Sequence, residues 1–268
     1  MDKKRKQISV LIILIILLIA VNYSFIDNYL EEIYSNINKE DFNVKRVIDG
    51  DTFIVGENTS VRLFGVNSPE RGEEYYTEAK VFLEELVLNK TVFIESFGQD
   101  MYYRELGMVF LDTENQGFSV PQTSKKQEVR GGENINVKLV ENGFANVYIL
   151  EDRKYENELR KAWENCISKN INLCEKSVDE CAECIKIKSF VGQKVVLENI
   201  CSFECDLTNW SIKDEGRKKF VFSKTNLEAG EEITITEKNF REKYVWTDTG
   251  DTLFLRDDKT KLVLWGRY

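Results

Sequence analysis

The 268-residue chain contains no histidine. That one absence excludes Ser-His-Asp and Cys-His catalysis, histidine general bases and His-ligated zinc centres. Hydrolytic chemistry in this chain must therefore rest on carboxylates, arginines, lysines, tyrosines, cysteines or a metal held by oxygen. Positive charge is also short: 37 Lys and Arg against 46 Asp and Glu give a net charge of −9. A broadly basic nucleic-acid surface is excluded, and contact with nucleic acid would need a local basic site or a bridging cation. Cysteine is missing from the first half; all six lie between Cys166 and Cys205. Long-period repeats are absent, and low complexity is confined to the amino terminus.

That terminus reads "MDKKRKQ" followed by "ISVLIILIILLIAVNYSFI" (8–26), an almost uninterrupted apolar run long enough to span a bilayer as a helix. The basic flank favours the cytoplasmic side and places the rest of the chain outside. A cleaved signal peptide is the alternative, giving a secreted protein, but no small-x-small cleavage site follows the run. Residues 1–26 are thus expected to be a cytoplasmic tail and transmembrane anchor, and 27–41 a polar stalk. Outside a membrane, Cys166, Cys174, Cys181, Cys184, Cys201 and Cys205 are expected to form disulfides, with 15 possible connectivities. The C-x2-C and C-x3-C pairs leave four-thiolate zinc binding as the alternative.

From residue 42 the pattern alternates in two bursts, "FNVKRVIDGDTFIV" and "TSVRLFGV", which read as neighbouring antiparallel strands. Pro69 and Gly72 break that pattern. A helix is predicted in "YYTEAKVFLEELVL", with Ala79, Phe82, Leu83 and Leu86 on one face. "KTVFIESF" and "ELGMVFL" restore strand character, and 113–134 reads as a long polar loop. A short helix follows in "NVKLVENG", with Asn136 as N-cap and Gly143 past its end. "RKYENELRKAWENCI" predicts a last helix burying Tyr155, Leu159, Trp163, Cys166 and Ile167. Together these make a compact α+β domain over 42–167. Residues 168–184 read as a cysteine-containing linker, and 185–268 as an all-β sandwich or barrel.

The first domain supplies the parts that a phosphodiesterase without histidine requires. A divalent cation needs oxygen ligands, an arginine fork must neutralise the charge on phosphate oxygens, and a carboxylate must prepare water. Asp51, then Arg62, Asn67, Ser68 and Glu70, then Arg104 supply them in order. Each also has an ordinary reading. Asp49-Gly50-Asp51 alone is a turn, Arg62 a cross-strand partner, Glu70 a loop charge, and Arg104 a cation stacked on tyrosine.

Taken together, "VIDGDTFIV", "VRLFGVNSPE", "DMYYRELGMVFL" and "INVKLVENGFANVYI" resemble the staphylococcal nuclease (thermonuclease) family over roughly residues 42–175. The resemblance implies an OB-type five-stranded barrel with three helices and calcium-dependent hydrolysis of DNA or RNA. It further implies that Asp51 is a calcium ligand and that Asn67 stands where the family usually has a second ligating Asp. Ser68 would offer its backbone carbonyl, Glu70 would orient or activate water, and Arg62 and Arg104 would hold the phosphate. Asp49 would shape the turn. Asn67 removes one negative charge from the site, which should weaken calcium affinity. Tyr103 replaces the glycine that the family has before Arg104. Single-stranded substrate is expected, because an OB-type groove accepts a flexible strand most easily.

The segments "LTNWSIKD", "EAGEEITI" and "TGDTLFLRD" resemble the lamin-tail domain, an immunoglobulin-like sandwich, which implies a binding or positioning module whose partner the sequence does not identify. Trp210 reads as core and the second Gly-Asp-Thr, at 250–252, as a turn. Two further functions fit the same residues. One is a catalytically inactive nuclease-like module that binds nucleic acid or protein; the other is an envelope scaffold acting through the sandwich.

Overall fold

The computed structural model describes residue 12 and residues 42–111, 132–148, 154–247 and 250–268. The expected anchor, the stalk and nearly all of the 113–134 loop lie outside these residues. Among the described residues, no helix is long and apolar enough to cross a membrane.

Asp-Gly is a strong turn signal, and the first burst accordingly folds into two strands instead of one. These are β1 (Phe42–Asp49) and β2 (Thr52–Val55), joined across Gly50 and Asp51 with Asp49 opposite Thr52. β3 (Thr59–Leu63) pairs antiparallel to β2, and β4 (Val66–Asn67) follows a turn at Phe64 and Gly65. Helix α1 (Tyr76–Val87) buries Ala79, Leu83 and Val87. β5 (Thr91–Gln99) and β6 (Glu105–Leu111) complete a closed barrel in the order β1-β2-β3-β6-β5, with β3 and β6 parallel.

Helix α2 (Ile135–Glu141) begins two residues earlier than expected. Asn134, not Asn136, is its N-cap, and the Asn134 side chain accepts the Val137 N–H. Asn136 is fully buried inside the first turn for another purpose. Its Oδ1 accepts Val109 N–H at 3.0 Å, and its Nδ2 donates to Phe64 O at 2.7 Å and Gly107 O at 3.1 Å. The side chain is worth more as a bridge between strands than as a helix cap. Gly143 follows the helix with φ of 67°. β7 (Asn146–Val147) pairs with β4, setting Asn146 opposite Asn67. Helix α3 (Glu156–Lys169) buries Leu159, Ala162, Trp163 and Cys166 and leads into a 3-10 turn at Asn172–Cys174.

All six cysteines form disulfides: Cys166–Cys174, Cys181–Cys205 and Cys184–Cys201. The first closes the 3-10 turn back onto α3. The other two fasten Cys181 and Cys184 to the sandwich, so the thiols that zinc would need are consumed.

The sandwich strands are β8 (Ile185–Val191), β9 (Lys194–Asn199), β10 (Cys205–Asp206), β11 (Ser211–Asp214), β12 (Lys219–Val221), β13 (Asn226–Leu227), β14 (Glu232–Thr236), β15 (Thr252–Arg256) and β16 (Leu262–Arg267). They form sheets β12-β11-β15-β16 and β14-β9-β8 with a β10-β13 ribbon, and helix α4 (Glu237–Phe240) follows β14. Trp210 is buried in their core. The barrel core does not stop at the barrel. Phe254 and Leu262 belong to it, and Trp163 meets Phe254 and Trp265 edge-on at ring-centroid distances of 5.4 and 6.4 Å. Edge-to-face aromatic pairs of this kind add about 1 kcal/mol each beyond area burial. Barrel and sandwich are therefore packed against each other, not strung on a flexible linker.

Candidate phosphodiesterase site

The β1–β2 turn explains why two carboxylates flank one glycine. Asp49 Oδ1 accepts the Asp51 N–H at 3.1 Å and shapes the bend, while Asp51 is free to face inward. Burial, then the charge of Asp51, raises the pKa of Asp49. Gly50 is required by space: a Cβ there would stand 2.7 Å from the Ser68 Cβ and 2.8 Å from the Ala79 Cβ. Its absence lets the Ser68 backbone reach Asp51, whose Oδ2 accepts the Ser68 N–H at 2.8 Å.

Arg62 comes up from β3 and is only 6 % exposed. Its Nη1 donates to Leu63 O at 2.8 Å and Val66 O at 2.9 Å. Asn136 takes the Phe64 carbonyl and Tyr148 N–H the Gly65 carbonyl, so every carbonyl of the 63–66 turn is claimed. The other terminal nitrogen, Nη2, lies 3.2 Å from Asp51 Oδ2 and donates to Asn67 Oδ1 at 3.0 Å. The guanidinium thus fixes the turn carrying Asn67 and pairs with the acid at once.

Arg104 closes a turn after β5. Its Nε and Nη2 both reach Asp100 Oδ2 at 2.7 Å, its guanidinium lies over the Tyr102 ring, and its Nη1 donates to Thr52 Oγ1 at 3.4 Å. Thr52 in turn donates to Asp51 Oδ1 at 3.1 Å, linking the second arginine to the acid. Tyr103 adopts φ of 60°, so the backbone keeps a left-handed path that suits glycine. For a non-glycine residue that costs about 1 kcal/mol.

Asp51, Arg62, Asn67 and Ser68 are therefore in mutual contact, and Arg104 joins them through Thr52. Glu70 does not touch this group. Its carboxylate pairs with Arg217 of the sandwich at 2.6 Å. Thr52, Asp100 and the sandwich turn were not singled out from the sequence. Asp100 had a signal, its place in the motif before Arg104; the sandwich turn had none within the barrel's own sequence.

A cavity of about 1100 Å³ adjoins the site. Arg62, Asn67, Arg104 and Tyr148 line it from the barrel, and Asp214, Gly216, Arg217 and Asp251 from the sandwich; Asp51, Ser68 and Glu70 do not line it. Burial raises Asp214 to about 7 and Glu215 to about 8.

The donors are of the kind a hard cation takes, oxygen with no sulfur or imidazole among them, and in this structure Asp51 Oδ2 and Asn67 Oδ1 are both engaged by the Arg62 Nη2, at 3.2 and 3.0 Å. Directly across from Asn67, Asn146 keeps a buried Oδ1 with no protein partner, as a site completed by water or a cation would. One carboxylate, that of Asp51, stands among these donors, and among the described residues no group of three or more Cys, Asp or Glu side chains is placed to hold a metal.

Comparison with known proteins accords with this geometry. A family model described as "Staphylococcal nuclease homologue" matches residues 60–176, and one described as "Lamin Tail Domain" matches 178–268. A thermonuclease of Staphylococcus hyicus is 30% identical over 151 residues, covering 51% of this chain and 78% of that protein. The chain belongs to the staphylococcal nuclease family, with a lamin tail domain following. Other similar members are a thermonuclease of Staphylococcus intermedius, 27% identical over 186 residues (64% of this chain, 99% of that one), and a micrococcal nuclease of Shigella flexneri, 29% identical over 128 residues (44% and 68%). The matched family segment starts in β3, so Arg62, Asn67, Ser68, Glu70 and Arg104 fall inside it, and Asp51 lies just before it.

Proposed function

We propose that the chain is a membrane-anchored, extracytoplasmic, calcium-dependent nuclease that hydrolyses phosphodiester bonds of DNA or RNA, with preference for single strands. The observation that carries this reading is the contact of Asp51, Arg62, Asn67 and Ser68 beside a cavity lined by both arginines, in a chain of the thermonuclease family. The basic and apolar stretches of 1–26 support the anchor, and the three disulfides support an oxidising location. The second domain, an immunoglobulin-like sandwich in this reading, positions the first.

Asp51, Asn67 through Oδ1 and the Ser68 carbonyl would hold calcium, which when bound supplies positive charge beside the scissile phosphate. Arg104 presents its guanidinium to the phosphate from the cavity wall, held by Asp100 so that little reorganisation is needed. Arg62 keeps Asp51 and Asn67 in place and adds its charge from behind them. By family resemblance Glu70, whose carboxylate is held by Arg217 and is not among the residues lining the cavity, would orient a water and take its proton as the water oxygen attacks phosphorus. The bond to the 5′-oxygen breaks, and that oxygen leaves with a proton from solvent.

The test is digestion of DNA and RNA by the purified full chain, with calcium and with chelator. Cleavage in calcium that stops in chelator is expected; undiminished cleavage in chelator contradicts the mechanism. The neutral Asn67 favours a second reading, a module that binds nucleic acid without cutting it. Glu70→Gln separates the two. Lost turnover with retained binding supports the nuclease, and a wild type that binds but never cuts supports the module.

A further inference from the structure

The residues that carry Asn67 and Glu70 are gripped from the other domain. The β11–β12 hairpin touches the 67–73 segment at Asn67, Glu70 and Glu73. Asn67 Nδ2 donates to Gly216 O at 2.7 Å, Arg217 Nε meets Glu70 at 2.6 Å, and Lys213 Nζ meets both Glu73 carboxylate oxygens at 2.9 and 2.7 Å. Glu73 in turn accepts the Glu70 N–H at 2.9 Å. Burial works to raise the pKa of Glu73, but Lys213 outweighs it and holds the carboxyl below the usual range. The hairpin is itself braced: Asp214 N–H donates to Lys218 O at 3.1 Å, and Lys218 N–H to Asp214 Oδ1 at 2.9 Å.

The Asn67 contact has chemical content beyond packing. An amide can present either its oxygen or its nitrogen to a given neighbour, whereas an aspartate presents oxygen both ways. Arg62 offers only donors and Gly216 O only accepts, so together they permit one orientation, with Oδ1 turned to Arg62 and Nδ2 to Gly216. An asparagine serves a cation only with its oxygen turned that way. The neutral residue on the barrel is thus matched by a carbonyl on the sandwich.

We propose that the β11–β12 turn is the outer shell of the nuclease site: Gly216 orients the Asn67 amide, and Arg217 is a positioning residue for Glu70. This rests on the roles given above to Asn67 and Glu70. Outer-shell partners of this kind are commonly worth about 10–100-fold in metal affinity or activity.

Two measurements on the full chain test it. Asn67→Asp sets a carboxylate oxygen against the Gly216 carbonyl and should speed amide hydrogen exchange in 211–219 by about tenfold or more, with or without calcium. Unchanged exchange overturns the orienting contact. Arg217→Gln, at a half-exposed position, should lower kcat about tenfold with KM within about twofold, and Arg217→Lys should recover part of the loss. An unchanged kcat, or a rise in KM alone, overturns the positioning role, the latter by making Arg217 a substrate contact. A wild type without nuclease activity would remove the functional reading instead, and with it any catalytic role for the turn; hydrogen exchange would still report on the contact.

Discussion

The chain spells Gly-Asp-Thr twice, at 50–52 and at 250–252, and the two differ in what faces the aspartate. Both acids are buried, with Asp51 4 % and Asp251 3 % exposed. Asp51 sits 3.2 Å from the guanidinium of Arg62. Among the described residues, Asp251 is held by backbone donors, Thr252 N–H at 2.7 Å, Thr247 N–H at 3.1 Å and Glu215 N–H, and it shares its side of the cavity with Asp214 and Glu215. Burial accordingly raises the pKa of Asp251, with those backbone hydrogen bonds opposing it. The same tripeptide becomes half of an ion pair in one domain and an acid held by backbone N–H groups in the other. Local sequence makes the bend; the opposite wall decides the chemistry.

Removing the charge should separate the two sites most clearly. Asp51→Asn should abolish cleavage by at least about 100-fold and, by stranding buried Arg62, cost about 3 kcal/mol in urea unfolding. Asp251→Asn should leave kcat within about twofold and cost about 1 kcal/mol, one hydrogen-bond acceptor being lost. Equal losses of activity would erase the distinction.

A smaller effect concerns pH. Because Asp214 and Glu215 are raised to about 7 and about 8, the folded state binds more protons than the unfolded one between about pH 4 and 8. Their contribution to stability is complete below the unfolded carboxyl range and is lost as pH rises through 7 and 8. Unfolding free energy should therefore fall from pH 5 to pH 8.5, and Glu215→Gln should flatten that slope. A slope unchanged by the substitution would deny Glu215 its part. The smallest expected effect is at Tyr103, where Tyr103→Gly should gain up to about 1 kcal/mol by relieving the left-handed backbone, measured as an increase in Tm.

Much of the barrel was legible because its signals are local. The Asp-Gly turn, the strand alternation and the helical face of Ala79 and Leu83 each lie within a dozen residues. Asp51, Arg62, Asn67, Ser68 and Arg104 were also visible in order, and they do meet. Asn136 reads as a cap in the sequence because a cap and a buried bridge use the same short amide; only the position of β6 decides between them. The partner of Glu70 was illegible for a different reason. Arg217 lies in another domain, and nothing near Glu70 in sequence announces it. The cysteines signalled disulfides, but the pairing Cys181–Cys205 with Cys184–Cys201 depends on how the sandwich folds back on the segment before it.

Calcium titration by calorimetry, on the full chain and on Asp51→Asn, tests the central claim most directly. The account predicts one calcium site in the native chain and none detectable in the variant at the same concentrations. Equal binding by both, or none by either, would contradict it.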